Sequence, residues 1–386
     1  MPQFKAASRR TPIYRDSGYP FETVDEAAEA MRADAAYSQS NQEFIYTRFG
    51  NPTVSEAEYE MARVEGSTWA MLASSCMSAI DIALSTFQER DNTGTWLFFN
   101  EIYGGTNTYI TQVLERRRGI HVERIGARDE RYEMAALVEM LDRVKPRLLY
   151  FEVLCNPLLI VADAIEIIKA AKDRGIRVVI DNTFATPLLF KPLEHGADFV
   201  VHSATKYFGG HGDITAGVLC GNDSVLHGEA MFYRRLVGHI FSADDAYRLT
   251  TQIKTLPLRY ARACESALKL ARRLEDHDRI ISVRYPGLET HASHDEAVKV
   301  FGGRGFGAVI TFEIKGGREA VDKFVAQVKD RIPYVMTLGD SESIMMHVPS
   351  TFGAEKYPYP GMMRLSVGFE PYEELEEAIL KGLAAI

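Results

Sequence analysis

Cysteine is scarce in this sequence. The chain carries four, at 76, 155, 220 and 264, and no two stand close enough to form a CxxC pair. That argues against a cysteine-built zinc site and against a disulfide framework, so a reducing cytoplasm is the expected location. Basic clusters are missing as well. No Lys/Arg run exceeds the three of Arg116-Arg117-Arg118, and the formal net charge is −9. Nucleic acid is therefore not expected as a main partner. No stretch approaches the roughly 18 apolar residues of a membrane helix. The basic opening MPQFKAASRRTPIYRD is not followed by an apolar segment, so it does not read as a secretory signal. No internal repeat or low-complexity tract stands out.

What remains is an ordinary globular composition, 46% hydrophobic and 25% charged over 386 residues, long enough for two or three domains. Short apolar runs at 96–99, 121–125, 148–152, 178–181, 199–201 and 216–220 read as strands. The segments 105–118, 132–144 and 163–174 read as helices between them. Such alternation predicts an α/β fold with a large, doubly wound, mostly parallel sheet. Met77, Ile80, Leu84 and Phe87 recur at helical spacing behind Ser74-Ser75, which predicts a capped amphipathic helix. A helical pattern over 53–65 precedes it. A long one over about 244–276 leads into a smaller α+β unit, with strands near 308–314 and 364–369 and a helix over 317–330. Residues 1–55 are polar and aromatic with little periodicity, as in a surface arm; the same composition also suits an arm that packs on a neighbouring subunit. The expected division is an arm over 1–55, a large domain over 56–245, and a linking helix with a small domain over 246–386.

The chemistry concentrates in residues 178–212. Two buried-strand runs there end in Asp181 and in His202-Ser203-Ala204-Thr205-Lys206. Both Asp181 and Lys206 thus fall just past strand carboxyl ends, where open α/β sheets bind ligands. Alone, such an Asp is usually a turn residue and such a Lys a solvated charge. Together they suit pyridoxal 5′-phosphate (PLP): the amine forms a Schiff base with its aldehyde, and the carboxylate keeps the pyridine nitrogen protonated. Ser203, Thr205 and Gly209-Gly210 flank the lysine as a phosphate site would require. The helix start behind Ser75 offers further N–H groups to an anion. His211 and Asp213 have no partner set for a metal. The glycines of GGRGFGAV (302–309) are misspaced for a dinucleotide fingerprint, and that stretch reads as a loop.

From about residue 40 to its end the chain resembles the Cys/Met-metabolism family of fold-type I PLP enzymes, which includes cystathionine γ-synthase, cystathionine γ-lyase, methionine γ-lyase and O-acylhomoserine sulfhydrylase. The likeness rests on YTRFGNPT (46–53), SSCMSAI (74–80), YGGT (103–106), NP (156–157), DNTFATP (181–187), SATKYFGGHGD (203–213), TLGDSES (337–343) and RLSVGFE (364–370). It implies that Lys206 holds PLP and moves substrate protons, that Asp181 pairs with the pyridinium, and that Tyr103 stacks on the ring and aids the leaving group. Ser203, Thr205 and the backbone of Cys76 and Met77 would bind the phosphate. Tyr46 and Arg48 would reach it from an adjacent subunit, which implies a dimer, commonly a dimer of dimers. Arg364 would clamp the substrate carboxylate with Asn156 and Thr337, Glu152 supporting nearby.

Several positions depart from the family pattern. Cys76 stands where relatives have Gly; at a positive φ it would cost about 1–2 kcal/mol, and otherwise it only changes the pocket wall. Ile45 and Met336 replace the acidic residues that cystathionine γ-lyase-like enzymes direct at the polar far end of the substrate. A distal ammonium would lose its partner there. The cysteine that methionine γ-lyases carry after Tyr-Gly is Gly105 here, and Asp244 is an added acid that could act from another direction. The expected activity is γ-elimination from a small L-amino acid, of a methionine or homoserine-derivative type or with an unusual leaving group. The alternatives are γ-replacement by a thiol and a PLP-binding protein without catalysis.

Overall fold

The computed structural model describes residues 10–35, 44–88 and 94–386. The expected arm over 1–55 therefore falls partly outside the described residues. Within it, residues 24–35 form a helix, Val24–Ala35, which the weak periodicity there did not predict. Further on, Asn51 caps the helix Pro52–Glu65: its side chain accepts from Thr53 and Val54 N–H, and Pro52 has no N–H to satisfy.

Eleven strands follow among the described residues: β1 (Trp69–Ala73), β2 (Thr95–Phe99), β3 (His121–Ile125), β4 (Leu148–Glu152), β5 (Arg177–Asp181), β6 (Phe199–Ser203), β7 (Gly217–Gly221), β8 (Ile280–Arg284), β9 (Val309–Ile314), β10 (Ile344–His347) and β11 (Met362–Ser366). The first seven make one sheet in the order β1-β7-β6-β5-β4-β2-β3, and the last four make a second in the order β10-β11-β9-β8. In the large sheet β3, β2, β4, β5 and β6 are mutually parallel, joined by helical crossovers. β7 runs antiparallel between β6 and β1, so the sheet is mostly rather than wholly parallel. Its strands β1, β4 and β7 are buried throughout, as the continuous apolar runs WAMLA, LLYFE and GVLCG require when helices cover both faces. The smaller C-terminal sheet is antiparallel. Its core of Phe312, Phe324, Leu365 and Ile379 is separate from that of the large sheet.

Two helical expectations needed correction. The pattern over 244–276 is broken: Ala243–Gln252 stops, a short 3-10 turn Ile253–Thr255 intervenes, and Pro257 lies in the first turn of Leu256–Glu275. Proline is tolerated there and not within a continuous helix. The expected helix over 105–118 is α-helical only over Gly104–Tyr109 and widens to a π-helical turn over Ile110–Glu115. The wide turn accompanies the convergence of Tyr109 and Arg118 on Asp81, Arg118 Nη2 donating at 2.6 Å. The GGRGFGAV stretch is a loop as far as Ala308, and strand β9 begins at Val309. No described helix is long and apolar enough to cross a membrane.

Candidate active site

Strands β4, β5 and β6 are in parallel register and end together, with Glu152 opposite Asp181 and Ser203 one strand further. The helix Cys76–Thr86 starts at the same edge. Ser75 Oγ accepts from Ser78 N–H at 3.1 Å, which leaves the N–H groups of Cys76 and Met77 as the open ones of the first turn. The loops above these ends enclose a cavity of about 340 Å³. Lys206, Asp181, Tyr103, Ser203, Thr205, Cys76 and Met77 line it, and so do Arg364, Asn156, Thr337, Glu152 and Met336. Ile45, Tyr46 and Arg48 do not. Tyr46 is 42% exposed, and Arg48 Nη1 donates to the Arg235 carbonyl at 2.9 Å.

Lys206 is mostly buried. Its Nζ donates to Thr337 Oγ1 at 2.6 Å, and burial with the nearby Arg364 guanidinium brings its pKa down from 10.5 to about 8. Gly339 is what permits that contact. It has φ +77°, and a Cβ there would sit 2.9 Å from Tyr207 N and 3.0 Å from the Lys206 carbonyl carbon. The loop carrying Thr337 can therefore lie directly on the lysine's backbone. The Thr337 carbonyl also accepts from Arg364 Nη2 at 2.6 Å, while Arg364 Nη1 donates to Asn156 Oδ1 at 2.9 Å. Arg364 Nε is buried with no partner.

Two carboxylates form the inner wall. Asp181 Oδ1 accepts Thr183 N–H at 3.0 Å and its Oδ2 lies 4.0 Å from Cys76 Sγ. Burial raises its pKa above the ordinary value, against the hydrogen bonds from Thr183. Glu152 accepts the Tyr103 N–H at 2.6 Å; burial, then the neighbouring Asp181, raises its pKa well above the usual carboxylate range. Cys76 has no left-handed backbone, so it changes the pocket wall without strain. A Cβ at position 105 would lie 2.5 Å from the Tyr103 ring, and a residue larger than glycine would displace that ring. Asp244 is not among the residues that line the cavity. Arg15 holds it through Nη2–Oδ1 at 2.6 Å and Nε–Oδ2 at 3.0 Å at the surface.

Sequence reasoning missed Thr183, Phe184, Leu154, Leu338, Met346 and Phe352, all of which line the cavity. Thr183 had a signal: in Asp-Asn-Thr the Asp side chain bonds the N–H two residues on, an Asx turn. Thr183 Oγ1 also accepts Ser203 N–H at 2.8 Å and so ties the end of β6 to the end of β5. Met346 and Phe352 had none, since only the second sheet brings them over the first.

The sequence matches the profile of the Cys/Met metabolism PLP-dependent enzymes over residues 2–384. The chain belongs to that family. Among its relatives, an L-methionine gamma-lyase of Porphyromonas gingivalis is 33% identical over 97% of this chain and 92% of its own length. A cystathionine gamma-synthase of Mycobacterium bovis is 36% identical over 86% of this chain and 84% of its own length. The crystal structure of cystathionine gamma synthase from Xanthomonas oryzae pv. oryzae, in complex with aminoacrylate and cysteine, superposes with a TM-score of 0.84 at 30% identity, covering 97% of this chain and 92% of that one. The protein is thus a PLP-dependent enzyme of the γ-lyase and γ-synthase family, and its fold is fold type I.

The cavity fits the cofactor. Asp181 is a buried carboxylate with no Lys, Arg or His in ion pair among the described residues, which a protonated ring nitrogen would supply. Lys206 has a depressed pKa that frees an amine near neutral pH. The open N–H groups of Cys76 and Met77 face a phosphate-sized need with Ser203 and Thr205 on the same wall.

Proposed function

We propose that this enzyme eliminates a γ-substituent from a small L-amino acid whose leaving group is apolar, the γ-group departing with a proton and one water being consumed as a 2-oxo acid and ammonia are released. The observation that carries this reading is the apolar lining of the cavity. Met336, Met346, Phe352, Leu154 and Phe184 line it, and the lining carboxylates are occupied deeper in, Glu152 by Tyr103 N–H and Asp181 by Thr183 N–H. A distal ammonium, as on cystathionine, finds no counter-charge there, and an apolar group finds a surface to bury.

Asp181, Lys206, Ser203, Thr205 and the N–H groups of Cys76 and Met77 hold PLP, which when bound supplies an electron sink for charge developed on the substrate. Arg364 takes the substrate carboxylate through its free Nε and an Nη, in a fork already oriented by Asn156 and the Thr337 carbonyl. That places the α-carbon beside Lys206 Nζ, whose pKa near 8 lets it take and return protons at the α- and β-carbons. Thr337 Oγ1 steers the amine between those positions. Tyr103, anchored through its N–H by Glu152, gives a proton to the departing γ-group. Tyr46 and Arg48 serve the phosphate of an adjacent subunit in a dimer, and two dimers pair into a tetramer.

γ-Replacement is the second reading. A recess of about 260 Å³ shares Thr205, Thr337 and Leu338 with the cavity and is rimmed by Asp213 and Asp340, leaving room for an incoming thiol. Incubation of the pure enzyme with methionine, cystathionine and O-acetylhomoserine, with and without sulfide, separates the two. Elimination requires 2-oxo acid from methionine with thiol absent. Thioether or homocysteine formed from O-acetylhomoserine at the expense of 2-oxo acid, with methionine inert, establishes replacement instead. For the shared site, mixing Arg48→Ala with Lys206→Ala subunits restores activity that neither has alone; failure to complement refutes it.

A further inference from the structure

Beyond the active-site cavity, a second cavity of about 340 Å³ opens at the carboxyl end of the edge strand β3, against the helix Met134–Val144. Its floor is apolar, with Phe99 and Tyr132 in ring contact at 4.6 Å and Met140 beside them. Three guanidinium groups, Arg124, Arg128 and Arg143, line the cavity, together with the exposed carboxylates Glu133 and Glu139. Arg128 and Arg143 make no ion pair among the described residues. Arg124 spends its bond on a neutral group, Nη1 donating to Asn107 Oδ1 at 2.6 Å. Half-buried and without a bonded carboxylate, it has its pKa lowered by burial. A cavity of this size falls at the lower end of the range for small-molecule sites.

The same wall grips the turn that carries Tyr103. Asn107, held by Arg124, donates to the carbonyls of Asn100 and Ile102 at 3.3 and 3.1 Å. Ala127 N–H, one residue past the cavity wall at Gly126, donates to Glu101 Oε2 at 3.1 Å. The segment Asn100–Tyr103 is therefore fastened on one side to the second cavity and on the other to Glu152 in the active site.

We propose that this cavity is a second binding site, for a phosphate monoester with an apolar body, and that its occupancy is felt at Tyr103 through the Arg124–Asn107 bond. Three guanidinium groups lining one cavity match a dianion better than a single carboxylate, and the Phe99–Tyr132 floor takes a ring or alkyl group. An anion drawn to Arg124 competes with Asn107 for the same Nη1 and loosens the turn that Asn107 braces. The consequence for turnover rests on the role given to Tyr103 above; the site itself does not.

The test is calorimetric titration of the PLP-loaded protein at low salt with phenyl phosphate, inorganic phosphate, benzoate and benzylamine. Phenyl phosphate binds once per chain, at least tenfold more tightly than inorganic phosphate or benzoate, and benzylamine does not compete. Joint replacement Arg128→Gln with Arg143→Gln weakens phenyl phosphate at least tenfold. Ala136→Trp, which fills the floor from the helix surface, weakens phenyl phosphate and leaves inorganic phosphate unchanged. Undiminished phenyl phosphate binding in both variants, or benzylamine binding as tightly, overturns the site. Coupling is read as a change in kcat at saturating phenyl phosphate that Asn107→Ala abolishes while binding persists; an unchanged kcat in the unmodified enzyme overturns the coupling. Should no amino acid be turned over at all, the functional reading fails and the titration still decides the site.

Discussion

The inner and outer walls of the active-site cavity differ in kind. On the inner wall Asp181, Glu152 and Arg364 are each at most 6% exposed, and they and Lys206 are held by short hydrogen bonds to neighbours. On the outer wall Met336 is 67% exposed and Tyr103 47%. On the inner wall, exclusion of water shifts the titrating groups, Lys206 downward and Asp181 and Glu152 upward. The lesson is a division of labour. Buried, mutually bonded groups set what the cofactor can do, and a half-open apolar rim sets what may be brought to it.

The hardest blow to that division is at its centre. Lys206→Ala removes both the cofactor anchor and the mobile base, so turnover falls by about 10²–10⁴-fold or more and the yellow absorbance of bound cofactor is lost; turnover retained in steady-state assays would contradict the assignment. Next is the pH dependence of cofactor uptake. The amine reacts only unprotonated, so a pKa near 8 instead of 10.5 means that PLP capture by the apo form rises with pH and is half-maximal near 8. At neutral pH this gives on the order of a hundredfold more free amine than an ordinary lysine. Stopped-flow absorbance measures it, and a midpoint near 10 would show the inner wall to be wetter than described. Arg364→Ala costs about 1.5–3 kcal/mol of substrate binding, read as a rise in KM with the cofactor spectrum unchanged, and Arg364→Lys does not restore it because an ammonium has no fork. The smallest effect lies on the rim. Met336→Glu shifts kcat/KM from methionine toward cystathionine by a few-fold, since a charge this exposed is largely screened. A shift of a thousandfold or none at all would each break the contrast between the walls.

Much of the inner wall was legible. Asp181 and Lys206 each follow a β-branched run, and strand ends of a parallel sheet meet at one edge whatever the rest of the chain does. Ser75 and its helix were readable from a local spacing, and the family motifs added Tyr103 and Arg364 by likeness. Other features were not readable. β7 resembles its neighbours in composition, yet it runs antiparallel, because direction is set by the connection and not by the side chains. Asp244 looked free to act at the pocket until Arg15, 229 residues away in sequence, was seen to hold it. The second cavity had no sequence signature, since Phe99, Arg124 and Arg143 come together only across two strands and a helix.

By itself the sequence determined the alternating α/β order, the local caps and turns, and which residue types stand at the strand ends. These depend on periodicity and on bonds between near neighbours, which a linear text records. Tertiary structure alone decided that Gly339 lays Thr337 on Lys206, that Arg364 keeps an unpartnered Nε, and that Met346 of the small sheet and Phe352 of the short helix after it line the same cavity as the strand ends of the large one. Those contacts join groups far apart along the chain. Their energies exist only once water is excluded between the two sheets, and no local pattern encodes that exclusion.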